Sequence, residues 1–175
     1  VGHGTHCAGI IAATINNSVG VAGAAQVRIM AEKGLGMNGG DSISLANCII
    51  HATNAGADII SNSWGSPSYS SLIASAIAYA TANGALFLAA AGNINANQPY
   101  YPAAYDDVTA VAATNASDTK ASFSNYGSWV DVAAPGVMIY STMPTYHVTM
   151  NNEPRFTQTY SYANGTSMAC PIAAG

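Results

Sequence analysis

From Ala85 to Ala91 the chain reads Ala-Leu-Phe-Leu-Ala-Ala-Ala without a polar residue, directly after Asn83-Gly84. A run this short and this apolar fits a strand buried on both faces rather than an amphipathic element. Such a strand needs covering layers on both sides, and the usual solution is a parallel sheet between helices. The flanking sequence agrees. Val27–Ala31 is strand-like, Ser42–Gly56 carries Leu45, Cys48, Ile49 and Ala52 at helical spacing and closes on Gly, and Ala57–Ser61 is strand-like again. Ser70–Asn83 then places Leu72, Ala76, Tyr79 and Ala80 on one face. The resulting β-α-β-α-β order predicts an α/β domain in three layers, a mostly parallel central sheet flanked by helices and joined by right-handed crossovers.

Composition narrows the function. Hydrophobic residues make up 50% of the 175 and charged ones 7%, so the chain is too apolar for disorder, while its longest apolar run is far below the ~20 residues that span a bilayer. Lys+Arg 4 against Asp+Glu 8 leaves no basic patch for nucleic acid or an anionic membrane. Cys7, Cys48 and Cys170 have neither CxxC spacing nor an even count, and read as small buried hydrophobes. Beyond Asn97 the pattern is irregular, with strand-like stretches at Val108–Ala112 and Val137–Ser141, a surface hairpin expected over Thr145–Asn164, and helix composition from Ser167. Open parallel sheets bind ligands beyond the carboxyl ends of their strands. Those ends read Ser63-Trp64-Gly65 and Ala91-Gly92-Asn93.

Three motifs carry chemistry. Gly2-His3-Gly4-Thr5-His6-Cys7-Ala8-Gly9 and Asn164-Gly165-Thr166-Ser167-Met168-Ala169-Cys170-Pro171 resemble the histidine and serine signatures of the subtilisin-like serine proteases, the subtilase family, of the subtilisin and thermitase type. Between them Ala89-Ala90-Ala91-Gly92-Asn93 resembles the segment that carries the family's oxyanion-hole asparagine. A lone His or Ser in a Gly-rich stretch is ordinarily a turn or cap residue; three motifs in order, at family-like separations, favour catalysis. The resemblance implies a subtilisin-like fold and a serine endopeptidase acting through an acyl-enzyme. In that reading His3 is the general base, Ser167 the nucleophile at the start of a helix, and Asn93 the oxyanion donor, a role that lowers the barrier by roughly 3–4 kcal/mol in that family. His6, three residues from His3, reads as a packed structural histidine with no third metal ligand near it, and His51 and His147 as structural or solvated.

The same resemblance implies that a peptide substrate adds as a strand against Gly39-Gly40 and Ser63-Trp64-Gly65. Ala90-Ala91-Gly92 would form the opposite wall of a primary pocket for an apolar or aromatic side chain, with Asn164 also binding substrate. Leu35 and Trp64 would shape a more distant subsite or else belong to the core. Ile15–Val21 is similar to the family's tight calcium loop, with Asn17 giving a side-chain oxygen and Ile15, Val19 and Val21 carbonyls to a structural Ca2+. Ala103, Tyr105 and Val108 resemble a weaker cation site. The family further implies polypeptide substrates, a possible pro-peptide, a monomer, and an extracellular location. Its triad acid precedes the histidine, and no carboxylate here sits in a comparable motif. Residues 1–175 therefore read as a partial catalytic domain, bounded by the two signatures, that is nearly inactive by itself, since loss of the acid costs about four orders of magnitude in turnover. Two rivals are a non-catalytic peptide-binding homologue, disfavoured because His3, Asn93 and Ser167 are all present, and a nucleotide-binding protein, disfavoured because no G-x-G-x-x-G follows the first strand.

Overall fold

The apolar run forms the centre of the sheet. In the computed structural model, which describes residues 2–175, strands β1 (Ile59–Asn62), β2 (Leu86–Ala90), β3 (Thr109–Thr114) and β4 (Val132–Pro135) pair in parallel in the order β1-β2-β3-β4. The period of two along β2 feeds two cores. Phe87 and Ala89 face one way, into a cluster with Leu45, Ile49, Ile73 and Ile77. Leu88 and Ala90 face the other, into a cluster with Val111, Ala113, Ala169 and Cys170. Helices α2 (Ser42–Asn54) and α3 (Ser71–Ala82) cover the first face and α4 (Thr166–Ala174) the second, which gives the expected three layers. Phe87 is fully buried.

The helix boundaries follow local chemistry. The Asp41 carboxylate accepts from the Ser44 N–H at 2.8 Å and caps α2, and Ser70 Oγ accepts from the Ile73 N–H to cap α3. Both helices end where Gly56 and Gly84 take positive φ, 82° and 88°. Helix α1 (His3–Ala12) packs on α4 and on a separate antiparallel hairpin, β5 (Ile139–Thr142) with β6 (Tyr160–Ala163). His6 is buried there, its Nε2 donating to the Ser161 carbonyl at 3.0 Å, in keeping with a structural histidine.

Two expectations need correction, and one strand was not expected. Val27–Ala31 is extended but forms no strand: it has no ladder to β1, and Val27, Ile29 and Met30 are exposed. Side-chain composition favours a strand only where a partner strand lies alongside, and none does among the described residues. The parallel sheet therefore starts at β1, and β1-α3-β2 is its βαβ unit. Val132–Pro135, by contrast, is a strand although only Ala134 of it is buried, because its register with β3 is held by backbone pairing. The stretch at Val137–Ser141 joins the hairpin, so residues 143–159 are the connection between β5 and β6, containing a 3-10 turn at Thr149–Asn152.

Candidate active site

Each motif residue lies at the end of an element that the core holds in place. Asn93 follows β2 through Gly92, whose φ is 103°; a Cβ there would lie 2.4 Å from Asn125 Nδ2, so position 92 accepts only glycine. Asn125, fully buried, secures this turn: its Nδ2 donates to the Ala91 carbonyl at 2.9 Å and its Oδ1 accepts from the N–H groups of Ile94 and Ala96. Ser167 is the second residue of α4, and Gly165 immediately before it has φ 155°.

Thr166 joins the two. Its N–H and hydroxyl both donate to Asn93 Oδ1, at 2.8 and 3.0 Å, and its oxygen accepts from the Gly92 N–H at 3.1 Å. With the carboxamide oxygen occupied twice, the Asn93 NH2 group is the free end, and the side chain is exposed beside the start of α4. A second joint lies one turn along α4. Pro171 has no N–H, so the Ser167 carbonyl loses its helical partner. Ser63 Oγ donates to that carbonyl at 2.8 Å and Cys7 Sγ at 3.6 Å. The loops after β1 and the helix that starts with His3 are thereby tied to the serine helix.

His3 and Ser167 are brought to one place by the packing of α1 on α4. The Ser167 hydroxyl donates to the Ser63 carbonyl at 3.3 Å rather than to the imidazole. His3 Nδ1 faces Cys7 Sγ at 3.8 Å. Burial, with His6 adding to it, holds His3 below the ordinary histidine range, and no carboxylate counters this. Burial likewise pushes the Cys7 thiol up to about 12, so it stays protonated and acts as packing and donor.

The Subtilase family model matches residues 1–175. The chain belongs to the subtilase family. Thermitase from Thermoactinomyces vulgaris is 47% identical over 99% of this chain and 59% of its own length, and Subtilisin Savinase from Lederbergia lenta 44% identical over 99% and 61%. A solved protease from Pseudoalteromonas arctica superposes with a TM-score of 0.89 at 38% identity, covering 99% of this chain and 56% of that one. This subtilase chain thus spans between about two fifths and three fifths of the length of the curated relatives it matches.

The other expected site residues of this subtilase are distributed as follows. Ser63, Trp64 and Gly65 continue directly from β1, Ala90 ends β2, and Ala91 and Gly92 are buried beyond it. Trp64 packs against the first core cluster and its Nε1 donates to Asn62 Oδ1, which makes it a core residue at least in part. Gly39 and Gly40 lie in an exposed turn before α2, closed by a bridge between Gly36 and Gly39. Asn164 is exposed, its Oδ1 accepting from the Met138 N–H. Ile15, Asn17, Val19 and Val21 occur in one loop after α1. The Tyr105 carbonyl already accepts from the Val108 N–H. Sequence reasoning missed Thr166 as the joint and Asn125 as the clamp: Thr166 stood inside a quoted motif without a role, and nothing around Asn125 marked it.

Proposed function

We propose that this chain carries the nucleophile, base and oxyanion donor of a serine endopeptidase. The observation that carries the reading is the double capture of Asn93 Oδ1 by Thr166, which leaves an NH2 donor open next to the N–H and hydroxyl of Ser167 at a helix start. His3 takes the proton of Ser167 Oγ as the oxygen attacks the peptide carbonyl. The negative oxygen of the tetrahedral adduct accepts from Asn93 Nδ2 and the Ser167 N–H, with the α4 dipole aligned to favour it. The imidazolium then protonates the departing amine, leaving an acyl ester on Ser167 that water hydrolyses by the reverse transfers. For this the Ser167 hydroxyl must turn from the Ser63 carbonyl to His3. The acid that should hold His3 Nδ1 is none of this chain's carboxylates and is proposed to come from residues outside it.

Substrates are proposed to be polypeptides lying against Ser63–Gly65 and Gly39–Gly40, with an apolar or aromatic side chain beside Ala90–Gly92. The loop Thr14–Ala22 fits a calcium ion. Left-handed residues at every second position, Asn16, Ser18 and Gly20, wind it around a cavity of about 240 Å3. Backbone oxygens of Ile15, Val19 and Val21 with the Asn17 carboxamide make the all-oxygen donor set a hard cation takes. An extracellular setting follows from the family reading; no helix among the described residues is long and apolar enough to cross a membrane.

The test is labelling of the protein, in its full natural length, with a fluorophosphonate, alongside hydrolysis of an unselective peptide mixture. Labelling that disappears in Ser167→Ala, together with peptide cleavage, is expected. Labelling that survives Ser167→Ala overturns the assignment, and peptide binding without labelling moves it to a non-catalytic homologue.

A further inference from the structure

The connection between β5 and β6 reaches over the start of α1. A Cβ on Gly2 would lie 2.9 Å from Val148 Cγ2, 3.2 Å from Met143 Cε and 3.5 Å from Met150 Sδ, so this connection packs directly beside His3. On its other side it faces the segment that leads to Gly39–Gly40, and the two enclose a groove of about 440 Å3. Lys33, Gly36 and Met37 form one wall; His147, Val148, Thr149 and Asn152 form the other. Both walls are braced. The Gly36 N–H donates to the Gly39 carbonyl at 2.8 Å, and in the 3-10 turn Asn151 accepts from the Val148 N–H at 2.9 Å and donates to the Phe156 carbonyl at 3.2 Å.

The charge of this groove departs from that of the chain. The net charge is −4 with only 4 Lys and Arg in all, yet the groove holds an ammonium and an imidazole and no carboxylate. The neighbouring Glu32 is turned away, onto His51 at 2.6 Å. Among the described residues the ion pairs are that one and Arg155 with Glu153, which leaves Lys33 without an anion. Thr149 and Asn152 add a hydroxyl and an amide, and Met37 and Val148 offer apolar surface for the stem of a side chain.

We propose that this groove is a subsite for an acidic side chain of the peptide substrate, with Lys33 and His147 as its specificity-determining residues. The proposal rests on the protease reading and names part of its substrate class. A peptide running along Gly39–Gly40 toward Ser167 passes between the two walls. The side chain that enters belongs to a residue near the scissile bond, because the groove adjoins Gly2. One exposed cation contributes a modest preference, about three- to tenfold when the imidazole assists.

The experiment measures kcat/KM for internally quenched peptides that carry Glu, Gln or Lys in turn at each position flanking the cleaved bond. At one position Glu should exceed the isosteric Gln by about three- to tenfold at low salt, and the ratio should shrink in 0.5 M NaCl. Lys33→Gln/His147→Gln should bring the ratio to about one, and Lys33→Glu should turn the preference toward Lys. Because each ratio compares two peptides on one preparation, partial unfolding of a variant does not mimic the result. Equal cleavage of the Glu and Gln peptides at every position, or a preference that outlasts both variants, overturns the proposal. If Ser167 takes no label and no peptide is cleaved, the protease reading fails separately. Fluorescence anisotropy with the same Glu and Gln peptides then decides the groove, equal affinities refuting it.

Discussion

Thr166 illustrates how much one side chain can set. It supplies two donors to Asn93 and one acceptor to Gly92, so Thr166→Val leaves a buried N–H without a partner and Asn93 with one tether. The expected cost is about 1–3 kcal/mol in stability. On the protease reading, turnover falls about tenfold with KM little changed, and Thr166→Ser restores both; urea unfolding and steady-state kinetics check the two halves. A variant as stable and as active as the parent would remove Thr166 from the site. His3 and His6 act through pH instead. Both are held below the ordinary histidine value by burial. Below about pH 6.5 the unfolded chain takes up protons that the folded one refuses. Their contribution to stability is therefore complete above that pH and is lost as pH falls below it, toward the lowered folded values. Unfolding free energies at pH 7.5 and 5.5 should show the drop, and His6→Gln should make it smaller. The His3 and Ser167 motifs could be read from sequence because each is a short local run of particular residues at fixed spacing. Thr166 and Asn125 could not be assigned, since a hydroxyl or amide acquires its role from whatever lies opposite it.

Between elements, Pro171 is the decisive residue. It frees the Ser167 carbonyl, and the donors that replace its N–H come from Ser63 after β1 and Cys7 on α1. Ser63→Ala should cost about 1–2 kcal/mol in the parent and less where Pro171→Ala has returned an amide to the helix. A double-mutant cycle by chemical denaturation measures this; strict additivity would show that the two positions are independent. The elements themselves were largely legible. Helices α2 and α3 came from periodicity and the Gly that follows each, and β2 from its unbroken apolar run. Val27–Ala31 misled because its composition suits a strand while, among the described residues, no strand pairs with it. Strand β4 escaped for the opposite reason: backbone pairing with β3 holds it with little help from side chains.

At the scale of the molecule, α1 leads into the loop wound by Asn16, Ser18 and Gly20, which ties any ion bound there to the helix carrying His3. Millimolar calcium should raise the midpoint of thermal unfolding of the full-length protein by several degrees, in line with ligand linkage. A chelator should reverse the rise, and Asn17→Ala should largely abolish it; an identical midpoint with and without calcium would dismiss the site. By itself the sequence determined the α/β class and the order of α2 and α3, and its resemblance to the subtilases pointed to His3, Asn93 and Ser167 as candidates, because periodicity and short motifs are local properties written along the chain. Only the tertiary structure decided that Asn93 presents its NH2 rather than its oxygen, that a proline ties Ser63 and Cys7 to the serine helix, and that a cationic groove stands beside His3. Each of these depends on groups far apart in sequence, and which of them meet is settled by packing.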